Sequence, residues 1–163
     1  MNNITVRETL TPEDLPAIAS ILHRTKHFTI EEIEIGLSLL VERIKDGLES
    51  GYYFLIAELD KKVIGYACYG PIPMTESGID LYWIAVDPDY QSQGIGSLLL
   101  KHTERKARNL GGIRLYAETS SKDLYRSTQL FYEHHSFILE ARQKDYYAPE
   151  DDRLMYVKVL TGA

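Results

Sequence analysis

Between Asp80 and Leu100 the chain reads DLYWIAVDPDYQSQGIGSLLL, and two kinds of secondary structure meet in it. Leu81, Tyr82, Trp83, Ile84, Ala85 and Val86 form an apolar run of strand character that breaks at Asp87-Pro88. A polar turn, Gln91-Ser92-Gln93-Gly94-Ile95-Gly96, then leads into a leucine-rich helix beginning near Gln93 and stopped by Gly111-Gly112. Such a turn suits an anion, because first-turn N–H groups have no intrahelical partner and the helix dipole adds about half a positive charge there.

Two phosphate loops fail against these residues. A Walker-type loop needs Lys-Ser or Lys-Thr after its second glycine, where this chain has Ser97-Leu98. A dinucleotide fingerprint needs a third glycine where Leu99 stands, and needs its glycines directly after the strand; only Glu118, at the end of the following strand, favours it. For Gly94 and Gly96 taken alone, a turn that only starts a helix stays open.

Composition narrows the function classes. The chain has 163 residues, 44% hydrophobic and 26% charged, enough for one domain over residues 1–163 with a sizeable core. No stretch approaches a membrane span, and MNNITVRETL has neither a basic nor an apolar leader segment. We therefore expect a soluble, cytoplasmic protein without a membrane partner. A net charge of −6 argues against nucleic acid as partner and mildly favours a cationic or neutral one. The single cysteine, Cys68, excludes an internal disulfide and a cysteine metal cluster and reads as a small buried residue on a strand. His23 and His27, four apart, have no third ligand pattern beside them, so no metal is expected. His134 and His135 read as cations at a helix end, on different faces of it.

Taken in order, the elements spell βααβββαβαββ. Ile4 to Arg7 reads as a strand. Thr11-Pro12-Glu13-Asp14 reads as the capped start of a helix to about His23, with Thr11 as the cap. Thr29-Ile30-Glu31-Glu32 opens a second helix whose apolar face is Ile33, Leu37, Leu40, Val41 and Ile44. Tyr53 to Ala57 and Val63 to Tyr69 flank Asp60-Lys61-Lys62 as a hairpin. Ile113 to Glu118 is a strand, Lys122 to His134 a helix, and Phe137 to Tyr146 and Leu154 to Val159 two more strands. Asp145-Tyr146-Tyr147 with Glu150-Asp151-Asp152 reads as an acidic, aromatic loop that either receives a cationic amine or keeps an edge soluble. The expected class is α/β (α+β), a central mixed β-sheet flanked by helices.

The pattern Gln91-x-x-Gly94-x-Gly96 resembles the acetyl-CoA signature of the GNAT superfamily of N-acetyltransferases, usually Gln/Arg-x-x-Gly-x-Gly/Ala. Downstream, YRSTQLFYEHHSF from Tyr125 to Phe137 is similar to that family's closing helix motif, matching it at Phe131, Tyr132 and Phe137. Tyr125, Thr128 and Ser136 stand where the motif has Asn, Ala and Gly; Ser92 and Gln93 stand where many members carry Gly and a basic residue. The resemblance implies a GNAT-like acyl-CoA N-acyltransferase fold and acetyl-CoA as co-substrate. It implies transfer of acetyl to a primary amine of a small molecule or peptide, with a homodimer allowed but not required. It places pantetheine on the backbone of Ile84, Ala85 and Val86. The pyrophosphate falls on the turn Gln91, Ser92, Gln93, Gly94, Ile95, Gly96 and Ser97, with Thr128 facing the site.

Amine transfer needs a base, because an alkyl amine with a pKa near ~10.4 is almost fully protonated at pH 7. Asp80 is in register with the family's glutamate base, the alternative being a strand-edge acid that only accepts a hydrogen bond, and Glu118 at the next strand's end is the second candidate. Tyr132 matches the tyrosine that the family is thought to use to protonate the departing sulfur, although core packing alone also accounts for it. Without a basic Gln93, cofactor affinity is expected to depend little on salt. The alternative from another class is an acyl-CoA-binding module without catalysis.

Overall fold

In the computed structural model, which describes residues 3–161, one mixed sheet receives every strand the sequence predicts. Strand β1 (Ile4–Arg7) is followed by helices α1 (Asp14–Thr25) and α2 (Ile30–Asp46), and a 3-10 turn at Gly47–Ser50 leads to β2 (Tyr53–Leu59). Next come β3 (Lys62–Pro71), β4 (Gly78–Val86), α3 (Ile95–Asn109), β5 (Arg114–Ser120), α4 (Arg126–His134), β6 (Ile138–Ala148) and β7 (Asp151–Val159). The strand order is β1-β2-β3-β4-β5-β7-β6, antiparallel throughout except where β4 meets β5. Tight turns set the register: Asp60 and Lys61, both with positive φ, join β2 to β3.

Alternation along the strands divides the core between the two faces. Leu55, Ala67, Ile79, Leu81 and Leu115 pack with Ile95, Leu99 and Leu100 of α3 and Tyr132 of α4. Phe54, Ile56, Tyr66, Cys68 and Ala85 pack with Ile18, Ile21 and Leu22 of α1 and Ile33 and Leu40 of α2. Cys68 is thus a buried apolar filler, as its place on a strand predicts.

The local expectations needing correction lie at helix faces and ends. Helix α2 buries Ile33, Gly36 and Leu40, while Val41 and Ile44 face water. Gly36 is the cause: a Cβ there would sit 3.2 Å from the Trp83 ring, so the helix turns its bare glycine, not its next aliphatic, onto the sheet. The Thr29 capping box forms as expected, but Thr11 caps nothing. Helix α1 starts at Asp14, whose carboxylate accepts from the Thr11 N–H (2.8 Å) and from the Arg7 guanidinium (2.6 Å). Burial raises the cost of that charge, yet Arg7 and Thr11 outweigh it and hold the Asp14 carboxyl below the usual range. Helices α3 and α4 begin at Ile95 and Arg126, later than expected, since a left-handed Gly94 and a 3-10 turn at Asp123–Tyr125 precede them.

Candidate active site: a gap between two parallel strands

Strands β4 and β5 run parallel, and they pair only over Gly78 to Asp80 against Arg114 to Tyr116. Beyond that point they part. A bulge drives the parting: on the β3 side Cys68 faces Trp83 and Tyr69 faces Leu81, so Tyr82 is the extra residue. A bulge bends its strand and increases its twist, and here it leaves one edge of β4 without a neighbour.

The backbone on that free edge is assigned by alternation. Asp87 donates its N–H to Ile64 on β3 (2.8 Å), so the backbone groups of Val86 and Ile84 point the other way, into the gap. The Val86 carbonyl is taken by the Gln91 side chain (3.1 Å), which leaves both Ile84 groups and the Val86 N–H for a guest. Ala85 opposes Tyr66, turns its backbone to β3 and contributes wall rather than hydrogen bonds.

At the end of β4 a cavity of about 380 Å³ opens, lined by Ile84, Ala85, Val86, Gln91, Ser92, Gly94, Ile95, Gly96, Ser97 and Thr128 among others. Of the cofactor residues expected from the sequence, only Gln93 lies outside the lining; its side chain turns back to the Asp89 carbonyl (3.4 Å). Ser92 and Gly94 have φ of 61° and 83°, the left-handed geometry that turns the chain into α3. A Cβ on Gly94 would meet nothing within 4 Å, whereas one on Gly96 would lie 3.2 Å from Phe131. Open space on one side and close helix packing on the other fit a phosphate group over the first turn of α3. The turn is anchored by Asp87, whose buried carboxylate accepts two bonds from Arg24 (2.8 and 2.9 Å) and one from the Asp89 N–H (3.0 Å).

The candidate base and acid lie on opposite faces of the sheet, and neither is among the residues that line the cavity. Ile79 and Leu81 belong to the α3 side, so Asp80 between them faces the α1 and α2 side; Glu118, next to Ala117, faces the same way. Burial first, and then the Glu118 charge, push the Asp80 carboxyl up to about 6, against a smaller pull from Arg153. Glu118 is ion-paired to Arg153, which also donates to Gln143 (3.1 Å) and lies 4.9 Å from the centre of the Tyr146 ring. Glu118 is thus engaged by Arg153, while among the described residues no ion pair engages Asp80. Tyr132 lies on the α3 and α4 side against Phe131, Phe137 and Tyr156. Burial and the Glu118 charge raise its phenol well above the ordinary tyrosine value, which keeps it protonated.

The expected acidic loop is not a loop. Asp151 and Asp152 are buried in β7, where Asp151 accepts from Ser120 and Asp152 accepts from Arg142 and the Asp145 N–H. The Asp152 carboxylate ties β7 to β6 and that of Asp151 ties β7 to the end of β5, so both are engaged within the protein. His23 sits exposed on α1, while His27 follows a left-handed Lys26 beyond the helix, so the two do not share a helix face. Among the described residues no group of three metal-ligating side chains forms, and no helix is long and apolar enough to cross a membrane.

Thr25, His27, Phe28, Tyr90, Ser127 and Phe131 also line the cavity. Residues 25–28 carry no local signal of this, since they arrive by the packing of α1 against the sheet. Tyr125 is legible only as a departure from the motif. Its hydroxyl bonds the His27 carbonyl (2.8 Å), tying the start of α4 to the α1–α2 connection across the cavity.

Comparison with known proteins agrees with this geometry. The family model described as "Acetyltransferase (GNAT) family" matches residues 16–137. A crystal structure from Desulfovibrio desulfuricans, described as an acetyltransferase of the GNAT family, is 38% identical, covers 98% of this chain and 100% of its own, and has a TM-score of 0.95. The amino-acid acetyltransferase of Shewanella oneidensis is 37% identical over 103 residues, 63% of this chain but 22% of that protein. The chain thus spans about a fifth of that relative's length. An acetyltransferase structure from Salmonella typhimurium, solved with its cofactor acetyl-CoA, shares the fold at 20% identity and a TM-score of 0.74, covering 99% of this chain and 96% of its own. With its parted central strands, glycine turn and matching family model, the chain belongs to the acetyltransferase (GNAT) family.

Proposed function

We propose that this chain transfers acetyl from acetyl-CoA to a primary amine of a small molecule or peptide by direct attack, with no covalent enzyme intermediate. The observation that favours this reading is a β4 carboxyl with a pKa of about 6 and a buried, protonated tyrosine on opposite faces of a sheet whose strands β4 and β5 part beyond Asp80. Acetyl-CoA, when bound, supplies the thioester whose acetyl group is transferred.

The chain's own groups do the rest. Ile84 and the Val86 N–H hold the pantetheine amides; Ala85 and Thr128 shape the walls around them. First-turn N–H groups of Gln93 to Ser97, oriented by Gln91 and Ser92, receive the pyrophosphate. Asp80, ionised above its pKa of about 6, accepts the ammonium proton directly or through one water. Tyr132, protonated at working pH, donates to the departing thiolate. Glu118 keeps Arg153 in place and raises the Asp80 pKa, so it tunes the base.

The reading takes the chain as a single domain acting in the cytoplasm, with or without a second copy. An amino-acid amine enters as a candidate acceptor because the Shewanella relative bears that name. The test is thiol release from acetyl-CoA against a panel of polyamines, amino acids and peptide N-termini. Turnover that requires an amine supports the proposal. Tight CoA binding with no turnover on any amine would make the chain an acyl-CoA-binding module.

A further inference from the structure

The Ser97 hydroxyl, which lines the cavity at the first turn of α3, lies 2.8 Å from His135 Nε2 at the end of α4. The other ring nitrogen, Nδ1, is 2.7 Å from the Phe131 carbonyl oxygen. A carbonyl only accepts, so Nδ1 carries the hydrogen and fixes the tautomer. In the neutral ring Nε2 is then an acceptor, and the Ser97 O–H must point at it. The hydroxyl proton faces away from the cavity and the oxygen lone pairs face into it. A phosphate oxygen approaching Ser97 would meet lone pairs.

We propose that His135 is a positioning residue for the cofactor pyrophosphate: as the phosphate binds, Nε2 takes a proton from solvent, donates to Ser97 Oγ, and frees the Ser97 hydroxyl to donate to the phosphate. This rests on the acetyl-CoA reading of the site. The ring is held for the task by the Phe131 ring, 4.3 Å away between centroids, and by the C-terminal carbonyls of α4, which favour a cation. The charged or titratable groups on α3 are Lys101, one turn beyond Ser97, and then His102, Glu104, Arg105, Lys106 and Arg108; those on α4 are Arg126, Tyr132, Glu133 and His134. Glu133 is engaged by Tyr156 (3.1 Å) and Arg126 (3.8 Å), and among the described residues no carboxylate pairs with His135. A ligand phosphate would therefore be the full negative charge that joins the α4 carbonyls in stabilising a protonated His135. His135 supplies from α4 the cation that Gln93 does not bring to the turn.

The experiment is calorimetric titration of dephospho-CoA, which lacks the ionising 3′-phosphate, at pH 7.5 in two buffers of different ionisation heat. The wild-type protein is expected to take up a measurable fraction of a proton on binding. His135→Ala should abolish the uptake and weaken binding about tenfold; Ser97→Ala, which leaves the imidazole in place, should abolish most of the uptake as well. Binding without uptake, or uptake unchanged in His135→Ala, overturns the role of His135 and leaves the cofactor site standing. Failure of wild-type protein to bind either dephospho-CoA or CoA overturns the site and the proposal together.

Discussion

The raised Asp80 carboxyl ties stability to pH and, if Asp80 is the base proposed above, activity as well. As base it must be ionised, so kcat/KM should rise with pH through about 6, and Asp80→Asn should lower kcat about 100-fold and remove that limb. Stability runs the other way. An unfolded aspartate ionises near ~3.9, whereas the folded carboxyl does so at about 6, so the folded state holds the proton longer and stability is lost as pH rises through this window. Water reaches part of the side chain and screens the penalty, which leaves about 1 kcal/mol. Thermal melts at pH 8 should therefore find Asp80→Asn slightly more stable than wild type. Tyr132→Phe keeps the ring packing and removes only the proton, so kcat should fall at least tenfold with the acetyl-CoA KM nearly unchanged. An unaltered kcat would leave Tyr132 as core packing.

The element that makes the site is β4 with its bulge. Leu81 to Val86 was visible in sequence as a strand, which the fold extends back to Gly78, and the turn after it as an anion site, because both are encoded locally by apolar residues, Asp87-Pro88 and two glycines. The bulge at Tyr82 was not visible, since it arises from register against β3 and the sequence shows only an unbroken apolar run. The true face of α2 was hidden for a similar reason, as Gly36 carries no hydrophobic signal yet sits on Trp83. Asp151 and Asp152 were misplaced in a loop because a strand that buries paired carboxylates looks, in one dimension, like an acidic turn. Glycine at position 70 shows how tight the neighbouring strand is: a Cβ there would lie 2.1 Å from the Gly51 carbonyl oxygen. Backbone cannot step aside as a side chain can, so Gly70→Ala should cost about 2–3 kcal/mol in a denaturant melt, with a lower midpoint.

At the scale of the whole molecule, two long-range ties shape the cavity. Arg24 on α1 clamps Asp87 ahead of the glycine turn, and Tyr125 ahead of α4 holds the His27 carbonyl over it. Neither tie was legible, for each joins residues distant in sequence through single side chains. Asp87→Ala strips the buried carboxylate from Arg24 and from the Asp89 N–H, so it should cost about 2–3 kcal/mol, a fall of roughly 4–12 °C in Tm, and weaken acetyl-CoA binding. At this scale the sheet is opened between β4 and β5 beyond Asp80, and the proposed base and the proposed acid stand on its opposite faces. The most direct measurement is thiol release from acetyl-CoA by wild type, Asp80→Asn and Tyr132→Phe on one accepted amine, with the CoA Kd measured alongside. The account predicts amine-dependent turnover, kcat reduced about 100-fold and at least tenfold in the two variants, and Kd values within about threefold of wild type. Full kcat in both variants would contradict it.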